Sequence, residues 1–452
     1  MMRPQAGAPR DYHFPKFEVR TLENGMRIIV ASVQKLPVVT VLAVIDATAI
    51  ADPAEKEGIA ELTAQAIREG TADVDGAQLS LEFEKLGTSF ESGADWDSTV
   101  ASMTVLRDKL DKAFSLFSDV ITAPAFRDDD IERLKAERLA ERLQILDEPR
   151  GLAEESFSRF LYADGVRYGE PMSGSSKSIT AITRDDVVKF YHENYAAEAT
   201  TLILVGDVTP DEGVALARRS FGAWKGARKN IVVKADVPAR SSRASRIVSK
   251  ADAAQSELRI GHVGVPRVSE AYFPIVVMNA ILGGLFSSRI NLNLREAHGY
   301  TYGASSYYDW RRQSGPFVIS TAVQGEVTAA AITEILKEID RMRSEQIGED
   351  ELTLATSYLE GVFPIRYETT AAIAAALANM VTFKLPETYY DTYRSNIAAV
   401  TTADVLNAAE EYVHPDQLQV LVVGDPTLLK SSIEALQIGA LTVLDGAERE
   451  GG

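Results

Sequence analysis

The clearest hydrophobic pattern in the chain occurs twice. Residues 182–207 read ITRDDVVKFYHENYAAEATTLILVGD, and residues 400–425 read VTTADVLNAAEEYVHPDQLQVLVVGD. The two segments align without a gap. Each opens on a threonine suited to cap a helix, Thr183 or Thr401, and continues as an amphipathic helix. Each then ends in an apolar run closing on Val-Gly-Asp, and the runs Leu202–Val205 and Val420–Val423 predict buried strands. The copies lie about half a chain apart, far beyond the roughly 20–50 residues of a solenoid repeat. A duplicated domain is therefore expected.

The remaining pattern fills in the halves. Phe17–Ala31 predicts a hairpin turning at Glu23-Asn24-Gly25, and Val38–Val44 and Thr99–Leu106 predict further strands. Glu57–Glu69 predicts a helix closed by Gly70. Arg107–Ile121 places Leu110, Phe114, Phe117 and Ile121 on one face. Asp130–Leu146 is a long charged helix whose inward face is assigned to Ile131, Leu134, Leu139, Leu143 and Leu146. Hairpin-linked strands mixed with helices predict an α+β fold of two homologous halves, each a largely antiparallel sheet packed with helices. The halves are expected at 14–225 and 247–445. The polar, basic stretch 226–246 reads as their linker, with an edge strand at Ile231–Lys234.

Composition narrows the chemistry. A chain of 452 residues exceeds a single core, and 46% apolar with 25% charged residues is ordinary globular composition. No stretch approaches 18 consecutive apolar residues, which predicts no membrane span. The first residues hold no apolar core of a signal peptide, so a cytoplasmic protein is expected, or a periplasmic one if a signal was removed. The absence of cysteine excludes disulfides, thiolate metal sites and a cysteine nucleophile. A net charge of −18 disfavours nucleic acid and anionic membranes as partners. The five histidines, His13, His192, His262, His298 and His414, are too scattered for a local metal site. No Ser-His-Asp triad can be proposed from spacing.

Two motifs carry a resemblance. The first is the helix Gly58-Ile59-Ala60-Glu61-Leu62-Thr63-Ala64-Gln65, and the second is Leu294-Arg295-Glu296-Ala297-His298-Gly299-Tyr300-Thr301-Tyr302 after the glycine-containing run 283–289. Within a duplicated α+β chain, from about Phe14 to Ile433, they resemble the pitrilysin/insulinase family of zinc peptidases, with its LuxS/mitochondrial-processing-peptidase-like metallohydrolase fold. In that family an inverted motif, H-x-x-E-H, binds zinc through two histidines and activates water through the glutamate. Here Glu61 and Gln65 stand at the histidine positions and Ala64 at that of the base, so no metal is expected on this chain. Glu61 and Gln65 read most simply as solvated helix residues. The family's third ligand is a glutamate on the next long helix, where Glu132, Glu137 and Glu141 are in range. Glu91-Ser92 replaces an Asn-Ala pair usual beside the zinc helix.

The second motif matches the family pattern L-R-E-x-x-G-x-x-Y. The resemblance assigns Arg295 and Tyr302 to holding the substrate backbone and the oxyanion that develops at a facing zinc centre. It thus implies the non-zinc-binding subunit of a heterodimeric zinc peptidase acting on peptides. Such a chain is inactive alone and binds no cofactor itself. Its partner is a paralogue bearing zinc, and a homodimer is possible without that partner. The alternative is a catalytically inactive scaffold or assembly protein of the same fold. His298 reads as an exposed loop residue, and Tyr307-Tyr308-Asp309-Trp310 as strand packing.

Overall fold

A computed structural model describes residues 11–226, 237–238, 240–251 and 253–445. The strand expected at Ile231–Lys234 lies outside the described residues. The first sheet contains β1 (Glu18–Thr21), β2 (Arg27–Ser32), β3 (Val38–Ile45), β4 (Glu91–Ala94), β5 (Thr99–Leu106) and β6 (Thr200–Gly206), in the order β1-β2-β6-β3-β5-β4. The second contains β7 (Ala244–Ser249), β8 (Gln255–Val263), β9 (Ala304–Tyr308), β10 (Pro316–Gln324), β11 (Gln419–Gly424) and β12 (Ala440–Leu444), in the order β12-β7-β11-β8-β10-β9. Five strands correspond in order between the sheets. The sixth does not: the first sheet is edged by the hairpin strand β1, and the second by β12 from the far end of the chain. Strand β7 starts at Ala244, inside the stretch expected to be linker.

Most neighbours pair antiparallel. Apart from the edge strand β12, which runs parallel to β7, the exceptions are the duplicated strands, β6 parallel to β2 and β11 parallel to β7. Both lie inside their sheets with every residue buried, which explains their unbroken apolar runs. In the first copy the glycine of Val-Gly-Asp is obligatory. Gly206 has φ +141°, and a Cβ there would meet the Val38 carbonyl oxygen at 2.1 Å. Thr183 and Thr401 each cap the following helix in reciprocal capping boxes with Asp186 and Asp404.

Four helices position the site: α1 (Ile59–Ala66), α2 (Asp128–Asp147), α3 (Pro149–Leu161) and α4 (Thr370–Thr382). The halves exchange helices. From the first half, α3 packs Leu152, Phe157 and Phe160 against Val248, Val318 and Leu421 of the second sheet. From the second half, α4 lies on β3 and β6, where the Thr370 and Thr40 hydroxyls are 2.8 Å apart. Each buried Leu or Phe contributes on the order of 2 kcal/mol, so this exchange binds the halves together firmly. One segment, Tyr272–Ala297, is long and apolar enough to cross a membrane by length and composition. Half of its apolar window is buried, and Ile275, Val277, Met278, Ile290 and Leu294 belong to a core that also takes in Ile29, Leu42 and Ile203 of the first half.

Candidate functional site

The inward face of α2 differs from the sequence expectation. Its buried residues are Ile131, Leu134, Lys135, Arg138, Arg142 and Leu146, while Leu143 is 65% exposed. Ile131, Leu134 and Leu146 face inward as expected, but Arg138 and Arg142 share their face, where the groups they meet are polar. The Nε of Arg138 donates to Gln65 Oε1 at 2.9 Å, and its Nη2 lies 3.3 Å from Glu61 Oε1. Its Nη1 donates to the carbonyls of Gly58 (3.4 Å) and Ser173 (3.3 Å). Arg142 forks onto Glu155 at 2.8 and 2.6 Å and donates to Gly174 O at 3.2 Å. Burial lowers the Arg138 pKa below its ordinary value, with Glu61 and Glu141 opposing that shift.

The N-terminus of α1 is built to approach this cluster. Gly58, its N-cap, is left-handed at φ +94° and has no side chain to satisfy the first backbone N–H groups. Asp52 does so from a distance, accepting from Gly58 N at 2.7 Å and Ala60 N at 3.1 Å. Asp52 is also paired with Arg167 at 3.0 Å. Burial pushes the Asp52 pKa up to about 6 against the opposing pull of Arg167. A Cβ on Gly58 would meet Ser173 O at 2.3 Å, so the helix start and the Ser173-Gly174 turn touch through backbone alone.

Glu61 and Gln65 are therefore half-buried and gripped by an arginine, not solvated as expected from sequence. Ala64 is buried, and its carbonyl accepts from Ser92 Oγ on β4 at 2.5 Å. Of the three glutamates in range on α2, Glu132 pairs with Lys135 and Glu137 with Arg133 on the surface. Glu141 lines a cavity of about 510 Å³ together with Glu61, Arg138 and Arg142. Trp96, Asp309 and Arg311 also line that cavity. The carboxylates of Glu61 and Glu141, one amide and the buried guanidinium groups of Arg138 and Arg142 offer no imidazole and do not fit a zinc ion, and no carboxylate stands at Ala64 to act as base. Among the described residues no cluster of three or more His, Asp, Glu or Cys is placed to hold a metal.

Arg295 and Tyr302 lie elsewhere. Arg295 sits in the π-helical turn Leu292–Ala297, its guanidinium 4.6 Å from the ring of Phe286 and its Nε 3.5 Å from Glu296. Tyr302 is 91% exposed and Phe286 69% exposed. Neither Arg295 nor Tyr302 lines the Glu61 cavity. His298 is exposed, stacked on Tyr300 and 3.9 Å from Glu334. Tyr308 packs internally against Trp310 and Phe317. Sequence reasoning missed Arg138, Arg142 and Asp52. The signal for the two arginines was their i, i+4 spacing in phase with Ile131 and Leu134.

Two homologous α+β halves with a degenerate metal helix in the first define an inactive member of a metallopeptidase fold. The profile described as insulinase (peptidase family M16) matches residues 27–172, and that described as peptidase M16 inactive domain matches residues 181–359. An uncharacterized zinc protease of Rickettsia felis is 26% identical over 356 residues, covering 78% of this chain and 85% of the relative. The probable mitochondrial-processing peptidase subunit beta of Schizosaccharomyces pombe is 22% identical over 436 residues, covering 91% and 92%. The crystal structure of a peptidase M16 inactive domain from Pseudomonas fluorescens superposes with a TM-score of 0.85 at 25% identity, covering 90% of this chain and 98% of that one. The chain belongs to the pitrilysin/insulinase family of zinc peptidases, as a non-catalytic member.

Proposed function

We propose that this chain is the non-zinc-binding subunit of a two-chain peptidase. In this reading the partner is a paralogue of similar size with an intact H-x-x-E-H helix, which supplies zinc, the activated water and the general base. This chain supplies half of a closed chamber, together with Arg295 to hold the substrate backbone and Tyr302 to donate to the developing oxyanion. The observation that carries the reading is the placement of Tyr302. Tyr302 is 91% exposed, and Arg295, seven residues before it, rests on an exposed phenylalanine, so neither side chain is explained by packing within its own chain. Enclosure restricts substrates to short or unfolded peptides.

The test is to purify the tagged chain from its host and identify by mass what accompanies it. A stoichiometric H-x-x-E-H paralogue supports the reading. Unchanged peptide turnover after Arg295→Ala and Tyr302→Phe in the assembled complex would sink it.

A further inference from the structure

The degenerate helix has kept an acceptor set, and that set is matched to one kind of cation. We propose that Glu61, Gln65 and the carbonyls of Gly58 and Ser173 form a guanidinium-binding site, which the chain fills with its own Arg138. Two nitrogens of the guanidinium donate hydrogen bonds, and the third, Nη2, is held only by ion-pair contact, since Nη2 and Glu61 Oε2 are both buried without a hydrogen-bond partner. Nε meets the Gln65 amide oxygen at 2.9 Å, Nη2 meets Glu61 Oε1 at 3.3 Å, and Nη1 meets the two carbonyls at 3.4 and 3.3 Å. The Gln65 oxygen on Nε and the two carbonyls on Nη1 accept along separate edges of the planar fork, an arrangement that a single ammonium does not reproduce. The Arg138 side chain is only 5% exposed, so these partners must replace nearly all of its water.

The surrounding charge agrees. Among the described residues Glu61 is the carboxylate in ion-pair contact with the guanidinium, and Glu141 and Asp52 add to the negative surroundings of this cation from farther away. A divalent cation in the same place would lie next to Arg142 and find no imidazole to bind it. Arg142 does not compete for the site, because its fork is committed to Glu155. Position matters too. The four acceptors come from the two ends of α1 and from the Ser173-Gly174 turn, so a guanidinium there ties α1, α2 and that turn into one unit. Arg138 thereby does the joining that a metal ion does at a metal site, and it leaves the joint indifferent to metal.

Chemical rescue tests this on the isolated chain, with no partner and no activity required. Arg138→Ala should lower the melting temperature by several degrees. Low-millimolar ethylguanidinium, far below denaturing levels, should restore at least half of that loss. Ethylammonium at the same concentration should restore little, and zinc or a chelator should move neither the parent chain nor the variant. Adding Glu61→Ala to Arg138→Ala should abolish the rescue. If Arg138→Ala does not fold, Arg138→Lys and Glu61→Gln should each melt below the parent chain. The proposal is overturned if Arg138→Ala or, in its place, Arg138→Lys melts like the parent. It is equally overturned if ethylammonium or zinc rescues as well as ethylguanidinium, or if rescue survives the loss of Glu61.

Discussion

The guanidinium of Arg312, in the second half, lies 2.6 Å from the carboxylate of Asp46 at the end of β3 in the first. The same residue donates through Nε to Thr382 O at 2.7 Å and through its backbone N–H to Asp97 Oδ2 at 2.9 Å. Arg311 beside it lies 4.7 Å from the ring of Trp96, whose other cationic neighbour is Arg167 at 4.9 Å. Two consecutive arginines therefore fasten the second half to the first at the rim of the Glu61 cavity. Arg312→Ala removes two charge-assisted bonds and should cost about 2 kcal/mol in urea unfolding. Arg312→Lys keeps the charge but not both bonds, and should fall between. An alanine variant as stable as the parent would show that the exchanged helices α3 and α4 alone hold the halves together.

Gly58 and Gly87 make a matched pair for testing how the start of α1 is built. Both are left-handed, at φ +94° and +71°. A Cβ on Gly87 meets nothing within 4 Å, whereas one on Gly58 would lie 2.3 Å from Ser173 O. Gly87→Ala should cost about 1 kcal/mol, the conformational penalty alone. Gly58→Ala should cost about 3 kcal/mol or more, because the backbone contact must also open. Opening it also displaces two acceptors of Arg138, Gly58 O and Ser173 O. Equal losses from the two variants in parallel melts would contradict this account.

The elements were legible in the sequence wherever one periodicity ruled. The runs at 202–205 and 420–423, the caps Thr183 and Thr401, and the strand Thr99–Leu106 all fall where the pattern puts them. On α2 the pattern held for Ile131, Leu134 and Leu146 but not for Leu139 and Leu143. There the leucines at 139 and 143 suggested one face, while Arg138 and Arg142 occupy the buried one. A pattern read as hydrophobic-inside cannot find a helix whose buried face meets a carboxylate, an amide and main-chain carbonyls. The exchange of α3 and α4 between halves was equally hidden, because amphipathicity does not say which sheet a helix covers. The Arg295 motif was visible only through resemblance, since in the structure its exposed tyrosine obeys no packing rule.

His262 sets a pH dependence of known sign. It is buried beside His414 and Phe317, with Nδ1 placed 2.8 Å from Val263 O and Nε2 accepting from His414 N–H at 3.2 Å. Both nitrogens are therefore committed in the neutral form. Burial depresses its pKa from 6.5 to about 4, with His414 adding to the effect. The unfolded chain thus binds the proton more readily, so stability is full above pH 6.5 and lost as pH falls toward 4. The loss amounts to about 3 kcal/mol. Asp52 acts in the opposite sense, because its raised pKa makes the folded state the better proton acceptor between about 6 and 3.8. The two contributions partly cancel in the parent, so the test is a difference. His262→Gln should flatten the decline in urea-unfolding free energy between pH 6.5 and 4 relative to the parent. An unchanged slope would mean that His262 is protonated without cost.

Arg295 and Tyr302 should separate function from stability. Tyr302 is almost wholly exposed and its hydroxyl has no bond within the chain among the described residues, so Tyr302→Phe should change the unfolding free energy by less than about 0.5 kcal/mol. Arg295→Ala loses an exposed cation–π contact with Phe286 and should cost about 1 kcal/mol at most. In an assembled two-chain peptidase the same variants should each lower turnover by about 100-fold, the scale for removing one fixed donor to an oxyanion. Phe286→Ala offers an intermediate case. It removes the surface on which Arg295 rests, and so should weaken turnover less than Arg295→Ala does while leaving folding intact. Melting curves and peptide hydrolysis measured on the same preparations decide the matter. Variants that melt normally but hydrolyse slowly place Arg295 and Tyr302 at the partner's reaction centre. Variants that melt early and hydrolyse in proportion to the folded fraction reduce them to ordinary surface residues.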